Sequence, residues 1–405
     1  MKAVTEVPFF RVELTEAEID EVVRTLRSGW LTTGPVVRRF ETAFAESVGA
    51  RHAVAVTSAT AALHLALEAL NVKPGDGVLV PTMTFAATAE VVRYLGAVPV
   101  LVDAEPVTLN MDLDDAGRRA SGAADMPDAV RNAPVVGAIP VHVGGLMLDV
   151  SRMRAFAASR NYWTVEDAAH AYLAAWRASA DSPWVKCGQD TANVTCFSFY
   201  ANKTITTGEG GIAVTNDEAA ASRMRLMSLH GLSRDAWDRH SNGSWDYRIV
   251  APGFKYNLTD IAAAIGVHQL ERADDMRACR QSLAEQFLVA LGSIDEIELP
   301  PIVANRIHAW HLYPIRLRLE RLTIDRNRFI DELRAEGIGT SVHWRPLHLH
   351  PYYQETFGWR PEQLPVATRE WERLVSLPLF PAMTPAEVAR VTRGVQTICA
   401  KFHVR

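Results

Sequence analysis

Cys196-Phe197-Ser198-Phe199-Tyr200-Ala201-Asn202-Lys203-Thr204-Ile205-Thr206-Thr207-Gly208-Glu209-Gly210-Gly211 is the stretch on which the reading of this chain turns. The apolar run from Asn193 to Phe199 predicts a strand, and the glycines from Gly208 to Gly211 let the backbone turn tightly before a second strand at Gly211 to Thr215. Lys203, one of only six lysines in the chain, lies between them. An amine held between a strand end and a glycine turn is partly desolvated and loses some preference for its charged form, as a Schiff-base lysine requires. The alternative is a solvated loop lysine, and only residues elsewhere in the chain decide between the two.

Outward from this stretch, apolar strands are expected at His52 to Thr57, Gly77 to Pro81, Val98 to Asp103, Pro134 to Val141 and Tyr162 to Glu166. They alternate with helices that start near Thr60 and Thr84 and with one from about Asp149 to Arg160. Alternating β and α units argue for an α/β fold with a mostly parallel sheet covered on both faces. Ligands of such sheets bind beyond the carboxyl ends of the strands. Thr15 and Glu18 form a capping box ahead of Ile19, Val22, Val23 and Leu26, which predicts an amphipathic helix over 15–28, followed by a loop at Gly29 to Pro35.

After about Pro252 the pattern changes to helices from Leu258 to Leu291, a strand near His311 to Arg318, a helix from Asp325 to Glu336, another strand and a closing helix from Pro385. The expected organisation is an N-terminal helix with a large α/β domain over 1–255 and a smaller α+β domain over 256–405. At 405 residues the chain exceeds what one hydrophobic core usually serves. The stretches Gly117 to Asn132 and Arg177 to Ala192 read as surface insertions.

A net charge of -5 gives no basic face for nucleic acid. Cys187, Cys196, Cys279 and Cys399 have neither zinc nor redox spacing, and no segment is apolar for long enough to span a membrane. A reducing, cytoplasmic setting is the expectation. His343, His348 and His350 match no metal-ligand spacing, so no metal is expected. His308 and His311 read as structural.

Ser58-Ala59-Thr60 falls between a strand and an Ala/Leu-rich helix, where free backbone amides and hydroxyls hold a phosphate, although a plain Ser N-cap is the simpler reading. Ser198 offers a second hydroxyl to the same anion. Asp167 ends the strand Tyr162 to Glu166, and a buried carboxylate there needs a cationic partner, for which a protonated pyridine nitrogen qualifies; a helix N-cap at the start of the next segment is the equal alternative. His170 can hydrogen-bond a ring oxygen, and Phe85, also after a strand, can stack on an aromatic ligand. Phosphate cradle, stacking aromatic, ring-nitrogen acid and amine together are the parts of a pyridoxal 5'-phosphate (PLP) site. No G-x-G-x-x-G follows the first strand, which argues against a dinucleotide enzyme.

With these motifs, the Gly29 to Pro35 loop and Gly253-Phe254-Lys255-Tyr256-Asn257-Leu258-Thr259-Asp260, nearly the whole chain resembles the DegT/DnrJ/EryC1/StrS family of PLP-dependent nucleotide-sugar aminotransferases, of fold type I. It is most similar to the members that form UDP-4-amino-4-deoxy-L-arabinose by aminating carbon 4. The resemblance implies Lys203 as the Schiff-base and acid/base lysine, Asp167 at the pyridine nitrogen, His170 at the ring hydroxyl, Phe85 against the ring, and Ala59, Thr60 and Ser198 at the phosphate. It also implies glutamate as amino donor, pyridoxamine 5'-phosphate in the half-reaction, and a homodimer in which Asn257 reaches the neighbouring subunit's cofactor. Thr32 and His343 are candidate sugar contacts. Phe85 stands where the arabinose enzyme has tryptophan, and His170 where many relatives have glutamine. A dehydratase of the same fold would carry histidine in place of Lys203, and a cofactor-binding regulatory protein would not need the intact set.

Overall fold

The computed structural model describes residues 6–233, 237 and 246–404. Its main sheet has seven strands in the order β1 (His52–Val56), β9 (Gly211–Thr215), β8 (Val194–Ser198), β5 (Trp163–Asp167), β4 (Val135–Ala138), β2 (Gly77–Pro81) and β3 (Val98–Val102). Five of these, from β8 to β3, run parallel to one another, whereas β9 is antiparallel to both β1 and β8. The fold is the mostly parallel α/β arrangement of fold type I. The small strand β6 (Ala175–Trp176) pairs on one side with β7 (Val185–Lys186) and on the other with β11 (Arg306–Ile307), and β10 (Ile297–Glu298), β12 (Tyr313–Leu317) and β13 (Leu374–Leu377) form a third, antiparallel sheet.

The pattern of burial explains why the strands read as continuous apolar runs. β2 is buried at every position, and helix α3 (Ala59–Ala69), which packs against the sheet, buries Ala61 through Leu67 without interruption. A helix buried nearly all round needs small residues where it approaches its neighbours, and the alanines of α3 supply them. A separate apolar cluster around the β10–β12–β13 sheet draws on Val7 and on side chains from Leu283 to Cys399, with Phe287, Tyr313, Phe329 and Phe380 at its centre. The helix Asp260–Glu271 instead packs against α1 (Glu16–Ser28) and α2 (Pro35–Val48), beside the main sheet.

The first described residues tie the two clusters together. Val7 donates its amide to the Gly337 carbonyl (2.9 Å) and accepts from Gly339 (2.8 Å), Phe9 stacks on His343, and Arg11 pairs with Glu387 (2.7 Å). Two residues further on, the Glu13 carbonyl accepts from Gln269 (3.0 Å) on the other side.

The stretch Gly117 to Asn132 departs from its expected surface character. Met126 and Val130 enter the large apolar cluster, and Arg119 is 2 % exposed, paired with Asp115 (3.2 Å) and with Asp125 (3.0 Å). A high share of Ala, Gly and Asp hid two buried anchors. Arg177 to Ala192 also reaches inward: Cys187 is buried, and the Thr191 hydroxyl donates to Glu166 (2.5 Å). Among the described residues no helix is long and apolar enough to cross a membrane.

Glu18 fixes α1 to the body. Its carboxylate is 1 % exposed and accepts from the Thr15 amide (2.9 Å), Gln269 (2.8 Å) and Arg272 (3.0 Å). Burial pushes the acid up, but hydrogen bonds from Thr15 and Gln269 outweigh it and hold the group down at about 2. Because the folded value lies below the unfolded one, the stabilisation is present above the ordinary glutamate range and is lost as pH falls toward 2. Glu18→Gln should cost about 2 kcal/mol at neutral pH. Thermal melts of wild type and variant should converge between pH 4.5 and pH 2.

Candidate active site

A cavity of about 640 Å³ opens at the carboxyl ends of β5 and β8, closed on its far side by residues 341–344. Ala59, Thr60, Phe85, Asp167, His170, Ser198, Lys203 and His343 all line it. The topology brings them together: β5 and β8 are adjacent and parallel, so Asp167, opposite Cys196, and Ser198 end on the same side, and α3 starts beside them.

Local hydrogen bonds fold the Lys203 segment. The Lys203 amide donates to the Tyr200 carbonyl (2.9 Å), Thr206 Oγ1 donates to the Phe199 carbonyl (2.9 Å), and Gly208 turns at φ 80° before β9 returns to pair with β8. Burial lowers the Lys203 amine from 10.5 to about 8, against the opposing pull of Asp167. The amine therefore exists in both protonation states near neutral pH, which suits a group that must give and take protons.

Asp167 is 6 % exposed, and its position is determined by two donors: Thr88 Oγ1 (2.7 Å), itself in contact with Thr84 (2.7 Å), and the Ala169 amide (3.1 Å). Glu166, on the opposite face of β5, takes the hydroxyls of Thr191 (2.5 Å) and Thr195 (2.8 Å). Ser58 caps α3 through the Ala61 amide (3.1 Å), and the other first-turn amides, which have no acceptor within the helix, lie on the cavity wall. β9 passes so close to this turn that a Cβ on Gly211 would lie 2.4 Å from the Ser58 carbonyl carbon and the Ala59 nitrogen.

His170 stacks on Trp344 (5.1 Å, 16°) and is buried; burial, with Lys203 and His343 nearby, pushes it well below the usual histidine range. His343 is brought down to about 4 by burial and Lys203, and its Nδ1 contacts Ser376 Oγ (2.9 Å). Phe85 is 64 % exposed, leaving a ring face free to stack.

Thr32 and Asn257 lie elsewhere. Thr32 is exposed, and Asn257 donates to Thr33 (2.7 Å) and meets Lys255, outside the cavity wall. None of residues 177–192 lines the cavity. Thr88, Trp344 and His311 are wall or support residues that the sequence reading missed. Thr84 and Thr88 at helical spacing were the available signal for the first, and none marked the other two. The histidines near residue 348 do not converge: His348 uses both ring nitrogens on Thr82 (2.8 Å) and Thr368 (2.8 Å).

The residues fit pyridoxal phosphate: helix amides for its phosphate, a fixed carboxylate for its ring nitrogen and an amine of lowered basicity for its aldehyde. That set defines a PLP-dependent enzyme, and the comparisons give its reaction class, sugar amination. The chain belongs to the DegT/DnrJ/EryC1/StrS aminotransferase family, whose model matches residues 12–396. It is 40% identical over 393 residues to the spore coat polysaccharide biosynthesis protein SpsC of Bacillus subtilis, covering 96% of each chain. Among solved structures it is similar to Spr1654 of Streptococcus pneumoniae, assigned as a sugar aminotransferase, whose PLP form superposes with a TM-score of 0.86 at 31% identity over 98% of this chain and 99% of that one. Spr1654 has also been solved in a PMP form. The sugar aminotransferase CalS13 of Micromonospora echinospora gives a TM-score of 0.82 at 30% identity over 96% and 99%.

Two measurements test this geometry. Gly211→Ala should cost about 2 kcal/mol by overpacking and weaken PLP binding about tenfold, read from thermal melts and cofactor titration. In cofactor-free protein the folded Lys203 value lies below the unfolded one, so the cost of burying its charge is full below pH 8 and vanishes as pH rises toward 10.5. Wild type should therefore gain stability over that interval relative to Lys203→Met in chemical denaturation.

Proposed function

We propose that the protein moves the amino group of glutamate to carbon 4 of a nucleotide-linked keto sugar, releasing 2-oxoglutarate, and does so as a homodimer with shared sites. The observation that carries this reading is one cavity that holds a lysine of lowered basicity and a fixed, buried carboxylate, in a chain of the sugar aminotransferase family.

Bound pyridoxal phosphate supplies an electron sink for the carbanion left when the donor's α-proton departs, and it carries the amino group between the two substrates. With the cofactor present, Lys203 is the residue that would hold its aldehyde, and its Nζ, able to change protonation state near neutral pH, would accept the donor's α-proton and give a proton back. The same amine serves the sugar in reverse order. Asp167, with Thr88 and Ala169 holding its two oxygens, keeps negative charge at the pyridine nitrogen and favours its protonated form. Ala59, Thr60 and Ser198 would hold the phosphate, Phe85 would stack on the ring, His170 would donate to the ring oxygen, His343 would contact the sugar, and Thr32, outside its own chain's cavity, would reach a sugar only in the site of a second copy.

The shared site has a physical argument as well. Lys203 is the one lysine or arginine on the cavity wall among the described residues. A diphosphate-bearing substrate thus needs positive charge from beyond one chain's wall, and Asn257, which lies outside the cavity of its own chain with hydrogen bonds to Thr33 and Lys255, would add an uncharged amide contact in the site of a second copy. Carbon 4 and the nucleotide rest on the likeness of the sequence motifs.

Adding glutamate to holoenzyme should bleach its visible absorbance, and a panel of UDP-, TDP- and GDP-linked keto sugars should restore it, with NMR locating the new amine. Lys203→Ala should bind the cofactor without turnover. Mixing inactive Lys203→Ala with Asn257→Ala chains should recover about a quarter of wild-type activity, since half of the random dimers carry one intact site of two. Glutamate that leaves the spectrum unchanged refutes the donor, and mixed dimers without recovery refute the shared site.

A further inference from the structure

His311 lies on the cavity wall beside His170, 5 % exposed, with ring centroids 4.2 Å apart and tilted by 43°. The backbone spends conformational energy to put it there. Trp310, the preceding residue, has φ 52°, a left-handed conformation that costs a bulky non-glycine residue about 1–3 kcal/mol. The neighbouring backbone holds that conformation in place: Ala309 donates to the Gly145 carbonyl (3.0 Å), Leu312 to the Gly144 carbonyl (3.1 Å), and Trp310 Nε1 to Gln281 Oε1 (2.6 Å). Gly145 is required for this close approach, since its φ is 101° and a Cβ would come 2.8 Å from the His170 carbonyl oxygen and 3.3 Å from the His311 amide. One turn thus fixes both histidines relative to each other.

In each of the two rings Nδ1 is buried and finds no partner among the described residues. A bare ring nitrogen is the cheaper orphan, because a buried N–H without an acceptor loses a whole hydrogen bond. The tautomer assigned on that ground carries its proton on Nε2, the nitrogen each ring can offer to the cavity. Burial and the proximity of His170 and Lys203 keep His311 neutral, well below the usual histidine range.

We propose that His311 and His170 form a two-imidazole subsite in which two neutral Nε2–H groups bind one anionic oxygen beside Lys203, making His311 a catalytic residue. The ligand chemistry is a single oxyanion, from either the ring oxygen of the cofactor or a carboxylate of the amino donor. The inference rests on the aminotransferase reading for the second source and on cofactor binding alone for the first.

His311→Phe keeps the ring contact and removes the donor, while His311→Gln retains one. In resting holoenzyme without substrates, a ring-oxygen ligand predicts that His311→Phe moves the pH midpoint of the visible band by about one unit while His311→Gln restores it. A carboxylate ligand predicts an unchanged spectrum and a KM for glutamate about tenfold higher in His311→Phe, with kcat changed less. Either result supports the subsite. A folded, cofactor-loaded His311→Phe with wild-type spectrum and wild-type KM overturns it. If that variant does not load cofactor, ¹⁵N NMR of histidine-labelled wild type decides, because the His311 Nε2 resonance must move on cofactor loading or on adding 2-oxoglutarate. An unmoved resonance also overturns the proposal. The spectral arm uses no donor, so failure of glutamate as donor is read separately from failure of the subsite.

Discussion

A carboxylate and an amine that share one cavity constrain the rest of this molecule. Asp167 and Lys203 come from the ends of adjacent parallel strands, and a charge buried in such a place persists only if fixed partners compensate it. Asp167 meets that condition through Thr88 and Ala169, and Lys203 meets it by giving up part of its basicity. Strand order, the Thr84–Thr88 pair and the antiparallel return of β9 all serve this one placement. The arrangement keeps opposite charges in reach of each other yet leaves the amine able to change state.

Much of this was legible in the sequence because it is locally encoded. A strand that ends in Asp167, a strand followed by Lys203 and glycines, and Ser58 ahead of an alanine-rich helix each announce themselves within a dozen residues, and parallel topology gathers strand ends at one edge. Helix limits for α1 and the strand β2 follow from capping and from unbroken apolar runs for the same reason.

The unread part depends on contacts between distant segments. His311 reads as structural in the sequence because nothing near it in the chain signals a cavity; it faces one only through the left-handed Trp310 and the Gly144–Gly145 turn, which lies far away in sequence. Trp344 likewise becomes a wall residue by stacking on His170. The stretch Gly117 to Asn132 was misjudged from composition, since Met126 and Val130 are only two anchors in a polar run and their burial depends on what folds over them.

The attachment of the first residues has a consequence for how the chain is made. Val7 waits for Gly337 and Gly339, and Arg11 for the carbonyl of Ala382, 371 positions later. The segment around Val7 and Arg11 therefore finds its partners only when chain made much later in synthesis is present, and until residues 337–387 have folded, the wall that carries His343 lacks its Phe9 backing. A nascent chain can complete the β5–β8 pair long before the site is whole, so order of synthesis leaves the cavity open until the wall at residues 341–344 has folded over it.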